Sequence, residues 1–237
     1  MKSNILLLLI ATDEYWKFVE PLIESAEKYF LTEHNVDFLV FTDKPSKIIN
    51  KENVYTSVLY HTSWPYPTLK RYHTFISQKE FILKYDYTFY LDVDMRIENK
   101  VGDEILSDGI VATIHAGYCE SEPKRCPYER NSVSTAYMSG QDGKHYYAGG
   151  FNGGRTQDFV DMSETIIQYV DKDLSSGIIP VWHDESYLNK YLWVNEPSKK
   201  LDPSYCYPEE LRIPFERKIV AINKINHGMA NSITRLN

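Results

Sequence analysis

Seven consecutive apolar residues, Ile5 to Ala11, constrain this chain more than any other feature. A strand with one face in water alternates polar and apolar side chains, whereas a strand covered on both faces has no reason to. The run therefore reads as a buried strand of a parallel sheet. The preceding Met1-Lys2-Ser3-Asn4 resembles the start of a secretory leader, but the apolar stretch is short and meets Asp13 and Glu14 where a small-residue cleavage site belongs. No run is long enough to span a membrane.

Parallel strands need crossover connections, usually helices. Glu14 to Phe30 carries Phe18, Leu22, Ile23, Ala26 and Phe30 at helical period. Asp37 to Thr42 and Val54 to Tyr60 read as further strands. Trp64-Pro65-Tyr66-Pro67 reads as a turn, Thr68 to Lys84 as a helix bearing Lys70, Arg71 and His73, and Tyr87 to Leu91 as the next strand. This alternation predicts an α/β fold with a Rossmann-like nucleotide-binding layer, in which ligands sit beyond the carboxyl ends of the strands. Further on, Glu120 to Lys144 reads as a long loop, Gly149 to Gly154 as a glycine-dense turn and Thr156 to Val170 as a helix. After Ile178 to Val181, Trp182-His183-Asp184-Glu185 opens a helix through Val194. At 237 residues the chain suits one domain.

Charge and cysteine content narrow the partners. A formal charge of −7 argues against duplex nucleic acid, whose phosphates need clustered cations. The three cysteines, Cys119, Cys126 and Cys206, lack metal-site spacing and suit a reducing, cytoplasmic setting, although Cys119 and Cys126 can pair in an oxidised loop. The 19 tyrosines offer flat apolar faces with hydroxyls, which suits a sugar cleft and an ordinary core equally.

The chemistry concentrates at Asp92-Val93-Asp94, which ends an apolar strand. An extended backbone there directs both carboxylates to one face, where two hard oxygens suit Mn²⁺ or Mg²⁺ with a diphosphate completing the coordination. A second Asp-x-Asp, Asp171-Lys172-Asp173, falls at the expected end of a helix and reads as a solvated turn. Asp184 and Glu185 read by spacing as a helix cap and a first-turn acid. The Gly149 to Gly154 segment admits either close approach of a ligand or a plain tight turn. Lys70 and Arg71 read as a solvated face.

Taken in order, several segments resemble glycosyltransferase family 6, which contains the blood-group A and B transferases and the α1,3-galactosyltransferase. They are Asp92-Val93-Asp94-Met95, His115-Ala116-Gly117-Tyr118, Tyr128-Glu129-Arg130, Tyr146 to Gly154, and Trp182 to Tyr191. The resemblance spans nearly the whole chain and implies a GT-A fold, in which about the first 98 residues bind UDP and metal and about 99–237 hold donor sugar and acceptor. It implies that Ile10, Ala11, Thr12 and Tyr15 hold uridine, that Arg71 binds the donor, and that Asp92, Val93 and Asp94 serve nucleotide and Mn²⁺ (or Mg²⁺). Ala148, Gly149, Gly150 and Asp184 match donor-sugar positions, Glu185 the acid beside the anomeric carbon, and His115 and Trp182, with Glu185, the acceptor positions.

The reaction so implied is a retaining α1,3 transfer from a UDP donor to an oligosaccharide acceptor. Gly150, small where galactosaminyl members are small, favours UDP-GalNAc over UDP-Gal. Pro127 departs from the hydroxyl residue that touches the acceptor in the blood-group enzymes, although a fucosylated galactoside remains the expected acceptor. Lys218, Lys224, His227 and Arg235 are candidates for closing over the diphosphate. The short form, lacking a membrane stem, resembles bacterial or viral members. Two alternatives stand beside this reading: a glycoside hydrolase using Glu185 in a carboxylate pair, and a non-catalytic sugar-binding module of the same fold.

Overall fold

The run Ile5 to Ala11 forms the middle of a sheet. Strand β1 (Asn4–Ile10) pairs in parallel with β2 (Asn35–Thr42) on one side and with β4 (Tyr87–Leu91) on the other, and Ile5 to Leu9 are fully buried. Both faces are covered, as the unbroken apolar pattern requires. Ile5, Leu7 and Leu9 face one core with Phe18, Leu22 and Ile23 of α1 (Trp16–Tyr29), while Leu6 and Leu8 face a second core with Phe75, Tyr90 and Phe159. Burying each such side chain stabilises the fold by roughly 1.5–3 kcal/mol.

The computed structural model describes residues 2–224, 226 and 227. Beyond the elements above it contains β3 (Val54–Val58), the short helices α2 (Tyr66–Leu69), α3 (Arg71–Ile76) and α4 (Lys79–Ile82), β5 (Met95–Ile97), β6 (Ile110–Ile114), β7 (Tyr147–Arg155), α5 (Thr156–Ser175), α6 (His183–Val194), β8 (Lys199–Leu201), β9 (Tyr207–Pro208) and β10 (Ile219–Ala221). A seven-stranded sheet runs in the order β3-β2-β1-β4-β7-β6-β8, parallel except where β7 joins β4 and β6. A small sheet, β5-β10-β9, brings the C-terminal segment beside the turn that follows β4. This is the mixed, parallel-rich α/β architecture of a GT-A fold. No helix among the described residues is long and apolar enough to cross a membrane.

Several local expectations are corrected. Gly149 to Gly154 is no turn but part of β7, buried between β4 and β6. Its glycines are needed for close approach: a Cβ on Gly153 would overlap the Thr88 carbonyl and Phe89. The helix expected over 68–84 is broken into three by non-helical dihedrals at Lys70 and Gln78, in a stretch rich in aromatic and β-branched residues of modest helix propensity. Helix α5 runs on to Ser175, so Asp173 lies inside it. There it is buried and accepts hydrogen bonds from Ser134 Oγ (2.5 Å), the Thr135 amide (2.8 Å) and Tyr187 (3.1 Å), instead of lying in a solvated turn. All three cysteines are free thiols.

Candidate active site

Strand order reverses beside β1, since the chain continues to β2 on one side and later returns as β4 on the other. A crevice is expected at the carboxyl ends of such a strand pair. A cleft of about 650 Å³ opens there, walled by Ile10, Thr12, Tyr15 and Val93 on the strand ends and by His61 and Trp64 opposite. Asp13, at φ 54°, turns the chain sharply out of β1 in the left-handed region that Asp tolerates better than most residues. Ala11 lies fully buried behind this wall, its amide donating to the Phe41 carbonyl at 2.8 Å.

Asp92 and Asp94 form the floor. Strand β4 ends at Leu91 and β5 begins at Met95, so Asp92-Val93-Asp94 is a turn and not the extended segment expected. The Asp92 carboxylate accepts from the Tyr90 hydroxyl and lies 3.5 Å from Arg71 Nη2. Asp94 is paired with Lys224 at 2.8 Å, and its carbonyl accepts from the Ile222 amide at 3.0 Å. Burial, and then the neighbouring charge of Asp92, push the Asp94 carboxyl up, while Lys224 pulls it down. Two carboxylates that repel one another, one of them already covered by a cation, suit a divalent ion held jointly with a ligand. Among the described residues no group of three or more His, Cys, Asp or Glu side chains converges as a metal site.

A second cluster adjoins the first. Arg71, expected on a solvated face, is only 6% exposed, because the break at Lys70 turns it inward. Its Nη1 donates to the Gly149 carbonyl at 3.1 Å and its guanidinium lies 4.4 Å from the Tyr90 ring centre. Its Nε is 3.0 Å from Asp184 Oδ2 but off-line for a hydrogen bond, so this contact is ionic. Burial works against the Arg71 charge, yet Asp184, Tyr90 and Asp92 together hold its pKa above the ordinary value. Burial pushes the Asp184 carboxyl up to about 7, with Arg71 opposing and the charges of Glu185 and Asp92 adding.

Asp184 is therefore a buried ion-pair partner, not a helix cap; Trp182 occupies the cap position of α6, and no side chain caps it. His183, at φ 50°, kinks the chain into the helix and directs Asp184 inward. Glu185 is fixed at both oxygens, accepting from Tyr146 at 2.7 Å and from the Gly149 amide at 2.7 Å. A Cβ on Gly150 would stand 2.5 Å from Met95 Cε and 3.0 Å from Asp92 Oδ2, so that position tolerates nothing larger without displacing them. Ala148, buried two residues before it, completes this stretch of β7.

The other expected site residues lie to the side. His115 is half-buried, accepts from the Gly117 amide at 3.0 Å, and packs its ring 5.7 Å from that of Tyr146. Trp182 is 48% exposed and its amide donates to Ser186 Oγ. Of the C-terminal candidates within the described residues, only Lys224 reaches the cleft. Lys218 pairs with Glu104 at 2.7 Å, His227 lies 3.2 Å from Glu209, and Arg235 falls outside the described residues. Tyr90 and Tyr146 went unnoticed as site residues in the sequence, because nothing in its spacing distinguishes them among 19 tyrosines.

The family model for glycosyltransferase family 6 matches residues 1–232. Histo-blood group ABO system transferase 1 of Rattus norvegicus is 34% identical over 241 residues, covering 97% of this chain and 69% of the rat protein. Globoside alpha-1,3-N-acetylgalactosaminyltransferase 1 of Homo sapiens is 31% identical, with 94% and 66% covered. The O-antigen biosynthesis glycosyltransferase WbnI of Escherichia coli is 29% identical, with 95% and 97% covered.

Proposed function

This chain belongs to glycosyltransferase family 6, and from that footing we propose that it moves N-acetylgalactosamine from UDP-GalNAc to a galactoside hydroxyl, forming an α1,3 linkage with retention of configuration. One observation carries the reading: a single buried guanidinium, that of Arg71, lies against both Asp92 at the nucleotide cleft and Asp184 beside Glu185. A donor whose diphosphate rests at the first carboxylate has its sugar at the second.

In this proposal about the first 98 residues hold the nucleotide and about 99–237 hold the sugars. Ile10, Thr12 and Tyr15 bind uridine, with Ala11, expected among them, supporting that wall from behind, while Asp92, Val93 and Asp94 face the diphosphate. Asp92 and Asp94 would hold Mn²⁺ (or Mg²⁺), which would supply positive charge against the leaving group. Lys224 and Arg71 add fixed positive charge on the same side. Ala148, Gly149, Gly150 and Asp184 surround the donor sugar. His115 and Trp182 border the acceptor.

As the bond from C1 to the diphosphate breaks, Glu185 stabilises positive charge at C1, and the acceptor oxygen then forms the new bond while its proton leaves toward the departing phosphate. Gly150, small where galactosaminyl members of the family are small, supports the N-acetyl donor. The name of the globoside relative supports the donor and the α1,3 linkage, and we take a fucosylated galactoside as first choice of acceptor.

The test is a donor screen on the purified chain with Mn²⁺ and fucosylated and plain galactosides, with product linkage read by NMR. GalNAc in α1,3 linkage, lost in excess EDTA, is expected. A clear preference for UDP-Gal overturns the donor assignment, and full activity in EDTA overturns the metal. A UDP-sugar that binds but never turns over points to a sugar-binding module instead.

A further inference from the structure

Glu185 receives two hydrogen bonds, and the two donors differ in kind. One is the backbone amide of Gly149 in the centre of β7; the other is the hydroxyl of Tyr146, one residue before that strand begins. Tyr146 is fully buried, and its ring is caged edge-on by His115 at 5.7 Å, Tyr118 at 5.3 Å and Tyr128 at 5.3 Å. A phenol so enclosed cannot swing away from its acceptor without unpacking three rings. Burial, and then the charge of Glu185, raise its pKa far above the ordinary value, so the hydroxyl remains a proton donor throughout the working range. The backbone of the same residue is also engaged, since the His115 amide donates to the Tyr146 carbonyl at 2.8 Å.

We propose that Tyr146 is the positioning residue for Glu185, its hydroxyl and the Gly149 amide fixing both carboxylate oxygens while its backbone holds His115 in register with them. The inference rests on the reading of Glu185 as the acid beside the anomeric carbon. Two short contacts to separate oxygens fix the plane of the carboxylate, and the remaining lone pairs then face one direction. A carboxylate that must stabilise charge at one carbon loses most of its effect when free to rotate, because electrostatic catalysis depends on preorganisation. Among the described residues no other side chain donates to the Glu185 carboxylate, since Asn189 Nδ2 bonds only its backbone carbonyl (2.9 Å), so the hydroxyl has no substitute.

The experiment is Tyr146→Phe, which keeps the ring and its cage and deletes only the donor. We expect kcat to fall about 10- to 100-fold, as loss of a hydrogen bond to a charged group predicts, with KM for the donor, UDP affinity and the thermal midpoint near wild type. Tyr85→Phe, which removes a hydroxyl bonded to Asp37 away from the cleft, controls for the loss of a phenol and leaves kcat unchanged. In a Glu185→Asp background, whose shorter side chain no longer reaches the phenol, Tyr146→Phe costs nothing more.

Wild-type kcat in Tyr146→Phe overturns the proposal. So does a fall shared by UDP affinity and midpoint, or losses that multiply in the Asp background. Glu185→Gln is run alongside. If that variant turns over like wild type, the reading of Glu185 itself fails; if it is crippled while Tyr146→Phe is not, only the positioning role fails.

Discussion

Arg71 Nε lies 3.0 Å from Asp184 Oδ2 with both side chains under 10% exposed, a buried ion pair that joins α3 to the first turn of α6. Removing one partner strands the other charge away from water. Arg71→Ala is therefore expected to cost about 3–5 kcal/mol of stability. Because both partners lie in one cluster, Arg71→Met combined with Asp184→Leu is expected to recover much of that loss without recovering transfer. Urea midpoints of the three variants, with UDP-sugar turnover measured beside them, check this.

Gly150 is tight against Met95 and Asp92, so even one methyl group is felt there. Gly150→Ala must displace the Met95 methyl or the Asp92 carboxylate and is expected to lower the ratio of kcat/KM for UDP-GalNAc over UDP-Gal by about 10- to 100-fold, the range open to shape discrimination. An unchanged ratio would remove Gly150 from donor choice.

Lys224 covers Asp94 at 2.8 Å and donates to the Tyr15 hydroxyl at 3.1 Å, holding the C-terminal segment across the cleft. In Lys224→Ala the buried Asp94 loses its cation and feels Asp92 unopposed. The metal-free midpoint should fall, and added Mn²⁺ should raise the variant's midpoint more than the wild type's, since an ion binding only the native state stabilises it. Thermal melts with and without Mn²⁺ report this independently of turnover.

Glu104 accepts from Lys218 at 2.7 Å and from the Gly102 amide at 2.9 Å. Partial burial opposes its charge, but Lys218 and the backbone amides outweigh this and hold its carboxyl down to about 2, against 4.5 for an unperturbed glutamate. For an acid with a lowered folded pKa, the stabilisation is complete above the unfolded value and disappears as pH falls toward the folded one. The wild-type midpoint should therefore drop more steeply between pH 5 and pH 2 than that of Glu104→Gln, and equal slopes would refute the assignment.

Much of the fold was legible locally. An apolar run without alternation specifies a doubly covered strand, and helical spacing from Phe18 to Ala26 specifies the helix that covers one face, because both patterns report side-chain direction along a few residues. The end of β4 at Leu91 and the acids beyond it followed from the same logic. Gly149 to Gly154 did not, since glycine marks a turn by its own preference and a central strand only when neighbours such as Thr88 press close.

Asp171 to Asp173 failed for a related reason: a carboxylate three residues from a helix end looks solvated until Ser134, Thr135 and Tyr187 arrive from distant segments. The residue types at the site, with their order along the chain, were set by the sequence alone. That Arg71 is buried and not solvated, that Asp184 pairs and does not cap, and that Tyr146 rather than another tyrosine meets Glu185 were decided only by tertiary structure. Those pairings join side chains 113 and 39 positions apart (184 − 71 and 185 − 146), and no local pattern encodes which distant segment will desolvate a charge.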